Sequence, residues 1–539
     1  MNNKEKLLFT CKEIESYIEN GNGTDELQAY LDKRDIFYQG ALDERRQEKE
    51  RYEELIADKD RQLQILESSY ELLKNSGWWK LKETMAGKDV LSVEQSQFFE
   101  QMDWLADFLN SNRCLEEKEK FFICLKQLCG LSAKVGAYTH EMDIWNRVNK
   151  VDGMRFYFPT QFEETQTDKG NILLITHELS WTGAPIVLQD AATELKKAGY
   201  FVLMVSPMDG PLRAELCEAG IPVMVDCRLR IGEFKTKEEW TELERQQIEK
   251  SWTTDLLVDC FDMTIVCTAV LHNLIDRYAH VDKPMIWWLH EGSASFEQFG
   301  RCLSKTLPKH VHVAFVCKYV KEQLEQCGIH YEGEVLSYGV ADVPQMTDRR
   351  KEDVVTFVSV GSINERKGQD ILLDAIGLLS VDCMKKSRFL FVGSPIPGPI
   401  TDQLEMLSQG YDNLTMTGLI PRDEVLKVYE ECDCIICSSR DDPLPVVLTE
   451  MMIQRKLCLC SDHTGTAHYL QDGKNGFVFE SGNVEQLAQK IEYIVAHRTE
   501  MDEIAMEGRK LYDQYFSMNI FRENLLKMVE KVKESSYEC

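Results

Sequence analysis

Asp442 and Glu450 stand eight positions apart in RDDPLPVVLTEMM, one at each end of a mostly apolar run. The preceding CDCIICSS reads as a buried strand, so RDDPLP is the loop at its carboxyl end and VVLTEMM opens a helix. Backbone N–H groups at a helix start can bind phosphate oxygens. Pro445 has none, but Leu444, Val446 and Val447 keep theirs. Glu450 falls about one turn into the helix, where a buried carboxylate needs donors. The two adjacent hydroxyls of a ribose are such donors. Asp442, in the loop, can accept from the hydroxyls of a sugar beyond a diphosphate. The spacing therefore predicts one loop that reads both ends of a nucleotide-sugar.

Three further clusters fall at strand ends. In VGSINERKGQD, Gly361 leaves a strand, and Arg366 with Lys367 precedes a helix. Adjacent cations there oppose the helix dipole, which makes sense if an anion such as a diphosphate lies between them. Solvated loop charges are the plainer alternative. In WWLHEG, His290 and Glu291 leave a strand. A lone histidine is usually structural, but one facing a cleft is equally well placed to act. In THELSWTGAP, Gly183 and Ala184 precede a helix whose N–H groups point toward a ligand; a tight turn explains the glycine as readily.

The elements that position these clusters are strands alternating with helices. From residue 170, ILLIT, PVMVD, LLVDC, MTIVC, PMIWWLH and VHVAFVC read as strands, and a helix from Pro185 stops near Gly199. From residue 353 the pattern starts again with VVTFVSVGS, RFLFVGS, LTMTGLI, CDCIICSS and KLCLCSD. Such alternation predicts right-handed βαβ units and parallel sheets. The fold class expected is α/β: two doubly wound domains, 166–345 and 346–515, facing a cleft, the second carrying the nucleotide-sugar loop. A closing helix over 516–539 packs back across the first domain. Residues 1–165 form a helical, charged extension. Leu66 and Leu73, like Ile65 and Leu72, lie seven apart. A short coiled coil, and an oligomer through it, is one reading of this spacing; a single packed amphipathic helix is the other. Trp78 and Trp79 read as buried packing or as an interface anchor.

Composition bounds the rest. The chain has 539 residues, 43% of them apolar, and a net charge of −28, which argues against nucleic-acid binding through a basic surface. No charged-then-apolar leader and no apolar run of membrane-spanning length is found, so a cytoplasmic protein with reduced thiols is expected. Among 18 cysteines, Cys432, Cys434, Cys437, Cys458 and Cys460 lack paired zinc spacing and read as core thiols rather than metal ligands.

From about residue 170 onward the chain resembles the retaining glycosyltransferases of family 4, which have the GT-B fold. The acid, seven residues, then glutamate matches Asp442 and Glu450; the strand–Lys-Gly element matches Lys367; HEG is similar to the family's strand-end histidine; GKNGFVFESGNVEQLAQKI resembles its closing segment. Two departures stand out: Ser362 where the family often has arginine, with Arg366 as a substitute, and His468 where glutamate is common. The looser likeness of the N-terminal region is to bacterial surface-polysaccharide transferases.

The resemblance implies transfer of a sugar from a nucleoside diphosphate donor to an acceptor hydroxyl, with retention. Arg366, Lys367 and His290 are the implied catalytic groups. Gly361, Asp442, Leu444, Val446, Val447 and Glu450 hold the donor, and Gly183, Ala184 and Glu291 form an acceptor or phosphate loop. Neither metal nor cofactor is implied. The partners are the donor and a glycan or lipid-linked acceptor, reached by peripheral association at the inner membrane face. A non-catalytic scaffold on the same fold, and an epimerase-like enzyme, are the alternatives.

Overall fold

A computed structural model of the chain describes residues 93–110, 118–135, 154–162, 168–249, 253–343 and 354–535. The expected coiled coil and Trp78–Trp79 lie outside the described residues. Two helices open the described chain, α1 (Val93–Asn110) and α2 (Lys118–Val135). Then follow β1 (Met154–Tyr157), β2 (Asn171–Ile175), helix α3 (Gly183–Lys197), β3 (Phe201–Ser206) and β4 (Val223–Asp226). The first sheet is completed by β5 (Met263–Cys267), β6 (Met285–Leu289), β7 (Val311–Phe315), helix α4 (Lys318–Gln326) and β8 (Gly333–Val335). Its order is β1-β4-β3-β2-β5-β6-β7-β8, parallel except for β1 against β4.

The second sheet contains β9 (Val355–Val360), helix α5 (Gln369–Leu378), β10 (Ser387–Val392), β11 (Leu414–Gly418) and helix α6 (Arg422–Glu431). It continues with β12 (Cys434–Cys437), helix α7 (Val446–Ile453), β13 (Leu457–Ser461), β14 (Phe477–Phe479), and the helices α8 (Met501–Tyr515) and α9 (Met518–Ser535). The order is β11-β10-β9-β12-β13-β14, all parallel. Both sheets belong to one compact unit that begins at Val93.

The central strands are mostly apolar because helices cover both faces, while the edge strands β8 and β11 are partly exposed. Every residue of β3, β5, β6 and β13 is buried. The five clustered cysteines are buried in or beside β12 and β13, with Cys437 paired to Cys460 across the ladder. One expected strand is wrong: LLVDC lies in a helix, Thr253–Cys260. Leu257, Cys260 and Phe261 are buried at i, i+3 and i+4, a helical stripe that a short apolar run conceals. Residues ahead of 166 also enter the first sheet. They supply β1, and on α2 Phe122 meets Phe261 edge-on at 5.0 Å, while Lys118 donates to Asp262 at 3.0 Å.

Helix α9 returns to the first sheet. It buries Phe521, Leu525, Met528, Val529 and Val532, a helical stripe worth about 2 kcal/mol per side chain. Phe521 stacks on Trp288 of β6 with centroids 6.0 Å apart, and Lys531 pairs with Glu334 of β8. Where the chain crosses between the sheets, outward near Val340 and back near Ser517, the two passes lie side by side. Val340 N donates to Phe516 O at 2.8 Å, and Tyr512 Oη donates to Val340 O at 2.9 Å.

Among the parallel strands of each sheet the chain order reverses once, between β2 and β5 and between β9 and β12. Ligands of open α/β sheets bind outside the carboxyl ends at such switch points.

Candidate active site

At the second switch point, β9 runs out into Gly361, whose φ of +142° favours glycine. The Lys367 chain lies against it; a Cβ on Gly361 would sit 3.4 Å from Lys367 Cε. Asn364 Oδ1 accepts from Lys367 N at 3.1 Å and fixes the turn. Gly368, at φ +66°, then presses against β12's outgoing loop: a Cβ would meet Ser438 O at 2.1 Å. The two loops are thereby locked together. Lys367 Nζ donates to Asp442 Oδ2 at 2.6 Å, and Arg366 Nη1 to Asp441 O at 2.8 Å. Arg440 N donates to Arg366 O at 2.8 Å, and its guanidinium grips Asp370. Both expected cations thus converge on the RDDP loop, each already partnered. The carbonyl of Ser362 takes Gln369 Nε2 at 3.1 Å.

Glu450 is 8% exposed on α7. Its carboxylate does not wait for donors. It accepts Tyr429 Oη at 2.9 Å, Arg422 Nη1 at 3.1 Å and Arg422 Nη2. Arg422 and Tyr429 lie seven apart on α6, hence on one face. Three of roughly four acceptor positions are filled, so a ligand hydroxyl has one place left unless Arg422 shifts. The sequence reading missed both partners; the demand of a buried carboxylate was the available signal. Leu444 is buried, its carbonyl taking Tyr338 Oη at 2.9 Å, and Val446 and Val447 begin α7.

Across the cleft, His290 follows β6, its ring 4.8 Å from that of Trp288. Burial, then the neighbouring His177, holds its pKa down to about 3, so the imidazole is neutral. Glu291 is buried and accepts Ala269 N at 2.7 Å and His290 N at 2.9 Å. Burial outweighs these donors and pushes the carboxyl up to about 7. Glu291 therefore ties the ends of β5 and β6 together. Gly183 opens α3, with nothing within 4 Å of where a Cβ would stand, and Ala184 O accepts Cys267 Sγ at 3.8 Å. Burial pushes Glu178 up, but the hydroxyls of Ser180 and Thr182 and the nearby His177 outweigh it and keep the carboxylate below its ordinary range.

The two adjacent acids divide their work. Asp442 faces Lys367 within its own half; Asp441 crosses the cleft. Its carboxylate accepts Tyr319 Oη at 2.9 Å and Ala294 N at 3.1 Å, and it sits where a Cβ on Gly292 would be 2.2 Å away. Cys317 Sγ donates to Pro443 O at 2.7 Å, Ser337 and Tyr469 share a 2.9 Å hydroxyl contact, and His468 lies 3.3 Å from Glu322. The RDDP loop is thus also the seam between the halves.

Residues 346–511 match the family described as glycosyl transferases group 1, and residues 169–330 match glycosyl-transferase family 4. The sulfoquinovosyl transferase SQD2 of Arabidopsis thaliana is 26% identical over 161 residues, covering 29% of this chain and 30% of that one. The lipopolysaccharide core biosynthesis glycosyltransferase LpsE of Rhizobium meliloti is 24% identical over 181 residues, 33% of this chain and 50% of that one. The chain thus spans half or less of the length of these two curated relatives. Among solved structures, Anabaena Alr3699/HepE in complex with UDP and glucose shares the fold, with a TM-score of 0.52 and 17% identity over 67% of this chain and 99% of that one. The lipopolysaccharide outer core galactosyltransferase WaaB, also at 0.52, is 14% identical over 67% of this chain and 99% of that one.

Proposed function

The chain belongs to the GT-B glycosyltransferases, a family 4 domain preceding a group 1 domain, and from that premise we propose that it transfers a sugar from a nucleoside diphosphate donor with retention. The observation that carries this is Lys367 on Asp442 beside Gly361, at the second switch point. A diphosphate entering there replaces Asp442 at Lys367. Asp442 is released to accept hydroxyls of the transferred sugar, and Glu450 takes a ribose hydroxyl at its remaining position. Lys367, Arg366 and the N–H groups of Val446 and Val447 stabilise the leaving diphosphate. With cations in that role, the reaction needs no metal. The acceptor hydroxyl attacks from the face that the diphosphate leaves, and the leaving phosphate takes its proton. His290, neutral, supplies a hydrogen bond to the sugar without adding charge. The acceptor is a glycan, free or lipid-linked. No helix among the described residues is long and apolar enough to cross a membrane, so a lipid-linked acceptor is met from the membrane surface.

The test is release of nucleoside diphosphate from a panel of nucleotide-sugars, with EDTA and without, and the anomeric configuration of the product read by NMR. Release that Lys367→Ala abolishes, that persists in EDTA and that gives a retained anomer supports the proposal. A product of inverted configuration overturns retention, and loss of release in EDTA overturns metal independence. One observation favours a second reading, a binding protein: Lys367, Arg440 and Arg422 already have carboxylate partners. Silence across the panel, with no thermal shift from any nucleotide, decides for it.

A further inference from the structure

One pair of residues joins the two candidate segments. Gly292 follows His290 and Glu291 after β6, and Asp441 precedes Asp442 in the RDDP loop. A Cβ on Gly292 would come within 2.5 Å of all three carboxyl atoms of Asp441. The φ of Gly292 is −94°, which any residue adopts, so this glycine supplies room for the carboxylate and not a backbone turn. Asp441 is 6% exposed. Its carboxylate takes Tyr319 Oη at 2.9 Å and Ala294 N at 3.1 Å, both from the first half. Ala294 N is a free donor at the start of the helix Ser293–Phe299, so a residue of the second half caps a helix of the first. From the other side Arg366 Nη1 holds the Asp441 carbonyl at 2.8 Å. The following residues repeat the pattern: Pro443 O accepts Cys317 Sγ at 2.7 Å, and Leu444 O accepts Tyr338 Oη at 2.9 Å. Between them, Asp442 turns its side chain to Lys367.

We propose that Asp441 is a positioning residue: seated in the space at Gly292, it sets the register of the RDDP loop against the end of β6, and with it the gap across which a sugar is transferred. The inference rests on the transferase reading and deepens it, by separating the groups that hold the donor from the one that aligns it. Lys367 pairs with Asp442, and Glu450 with Arg422 and Tyr429, all within the second half. Nucleotide affinity therefore does not depend on the seat, whereas alignment of the RDDP loop with His290 does. A misplacement of about 1 Å can slow a reaction ~10²-fold. The seat is also close to all-or-none. A buried carboxylate that loses part of its donors is costly, so Asp441 either keeps both first-half donors or leaves for water.

The experiment compares Asp441→Ala, Gly292→Ala and the double variant in the full chain. It reads UDP and GDP affinity by calorimetry, nucleoside diphosphate release from the nucleotide-sugar panel, and amide hydrogen exchange over residues 291–297. Each single variant releases nucleoside diphosphate about tenfold more slowly, while nucleotide affinity changes by less than about twofold. Exchange over 291–297 speeds up about tenfold in Asp441→Ala, the loss expected for one hydrogen bond to a charged group. In the double variant the Cβ at 292 meets no carboxylate, so the losses do not add and release is no slower than in Asp441→Ala. Asp441→Asn keeps the shape and one acceptor oxygen, and recovers part of the rate. A brace with no part in alignment would not separate turnover from nucleotide affinity. Wild-type release and exchange in Asp441→Ala, losses that add in the double variant, or nucleotide affinity falling in step with release overturns the proposal. Failure of the wild-type chain to bind any nucleotide counts against the transferase reading alone, and the exchange rates then decide the seat.

Discussion

The two sheet edges that face the cleft occupy the same topological place yet are finished in opposite ways. The edge of the second sheet is ionic and closed: Lys367 on Asp442, Arg440 on Asp370, Arg422 on Glu450. That of the first is open: among the described residues His177 Nδ1, Thr268 Oγ1 and His290 Nε2 lack hydrogen-bond partners, and burial pushes both imidazoles below their ordinary pKa. A ligand gains little by adding charge where charge is already paired; it has to exchange partners. Where donors and acceptors stand unpartnered, it has only to arrive. On the proposed function, the multiply charged end of the substrate meets the second edge and the hydroxyl-rich end the first.

The sharpest way to break this contrast is at Lys367. Lys367→Ala removes the cation and leaves Asp442 unpaired; nucleoside diphosphate release falls about 10²–10³-fold, read in steady-state kinetics. Arg422 comes next. Arg422→Ala strips two of three donors from buried Glu450. The arginine side chain is 60% exposed, so the stability lost is about 1–2 kcal/mol, read by chemical denaturation. Donor binding weakens as the carboxylate loses its orientation.

The first edge is tested by pH. His290 has a depressed pKa, about 3 against 6.5, so its contribution to stability is present above pH 6.5 and is lost as pH falls toward 3. Glu291 has a raised pKa, about 7 against 4.5, so its contribution is present below pH 4.5 and is lost as pH rises through 7. Between 4.5 and 6.5 the two slopes oppose each other. Glu291→Gln leaves the histidine slope uncovered, and stability relative to wild type then drops on acidification by up to about 1.4 kcal/mol per pH unit. The smallest effect is expected at the seam. Tyr319→Phe removes one donor to Asp441 and costs about 1 kcal/mol, seen as a lower Tm with nucleotide affinity unchanged.

The fold was readable because a parallel sheet covered on both faces writes its strands as uninterrupted apolar runs, as in MIWWL and LCLCS. LLVDC failed the same test in reverse, since five apolar-rich residues fit a helix turn as well as a strand. The RDDP loop and Lys367 were readable because their chemistry lies in one short segment each. Three features were not. Which of Asp441 and Asp442 faces the cation depends on the direction of the backbone after β12, and both are aspartates. The grip of Arg422 and Tyr429 on Glu450 joins two helices 28 positions apart or less, and only tertiary packing selects that pair from many. The strain at Thr268, whose φ is +80°, lies in a dihedral, to which no residue type corresponds. His177 was in plain view in THELSWTGAP, but the glycine six positions on drew the reading.

The side-by-side passes at Val340 and Ser517 carry one more consequence. Had the chain crossed between its sheets once, the halves could twist, slide and swing like beads on a thread. Two crossings laced to each other tie the halves at one place and resist sliding there more than a single pass would. Any turn about that tie moves the far rims of the cleft most and the residues beside it least.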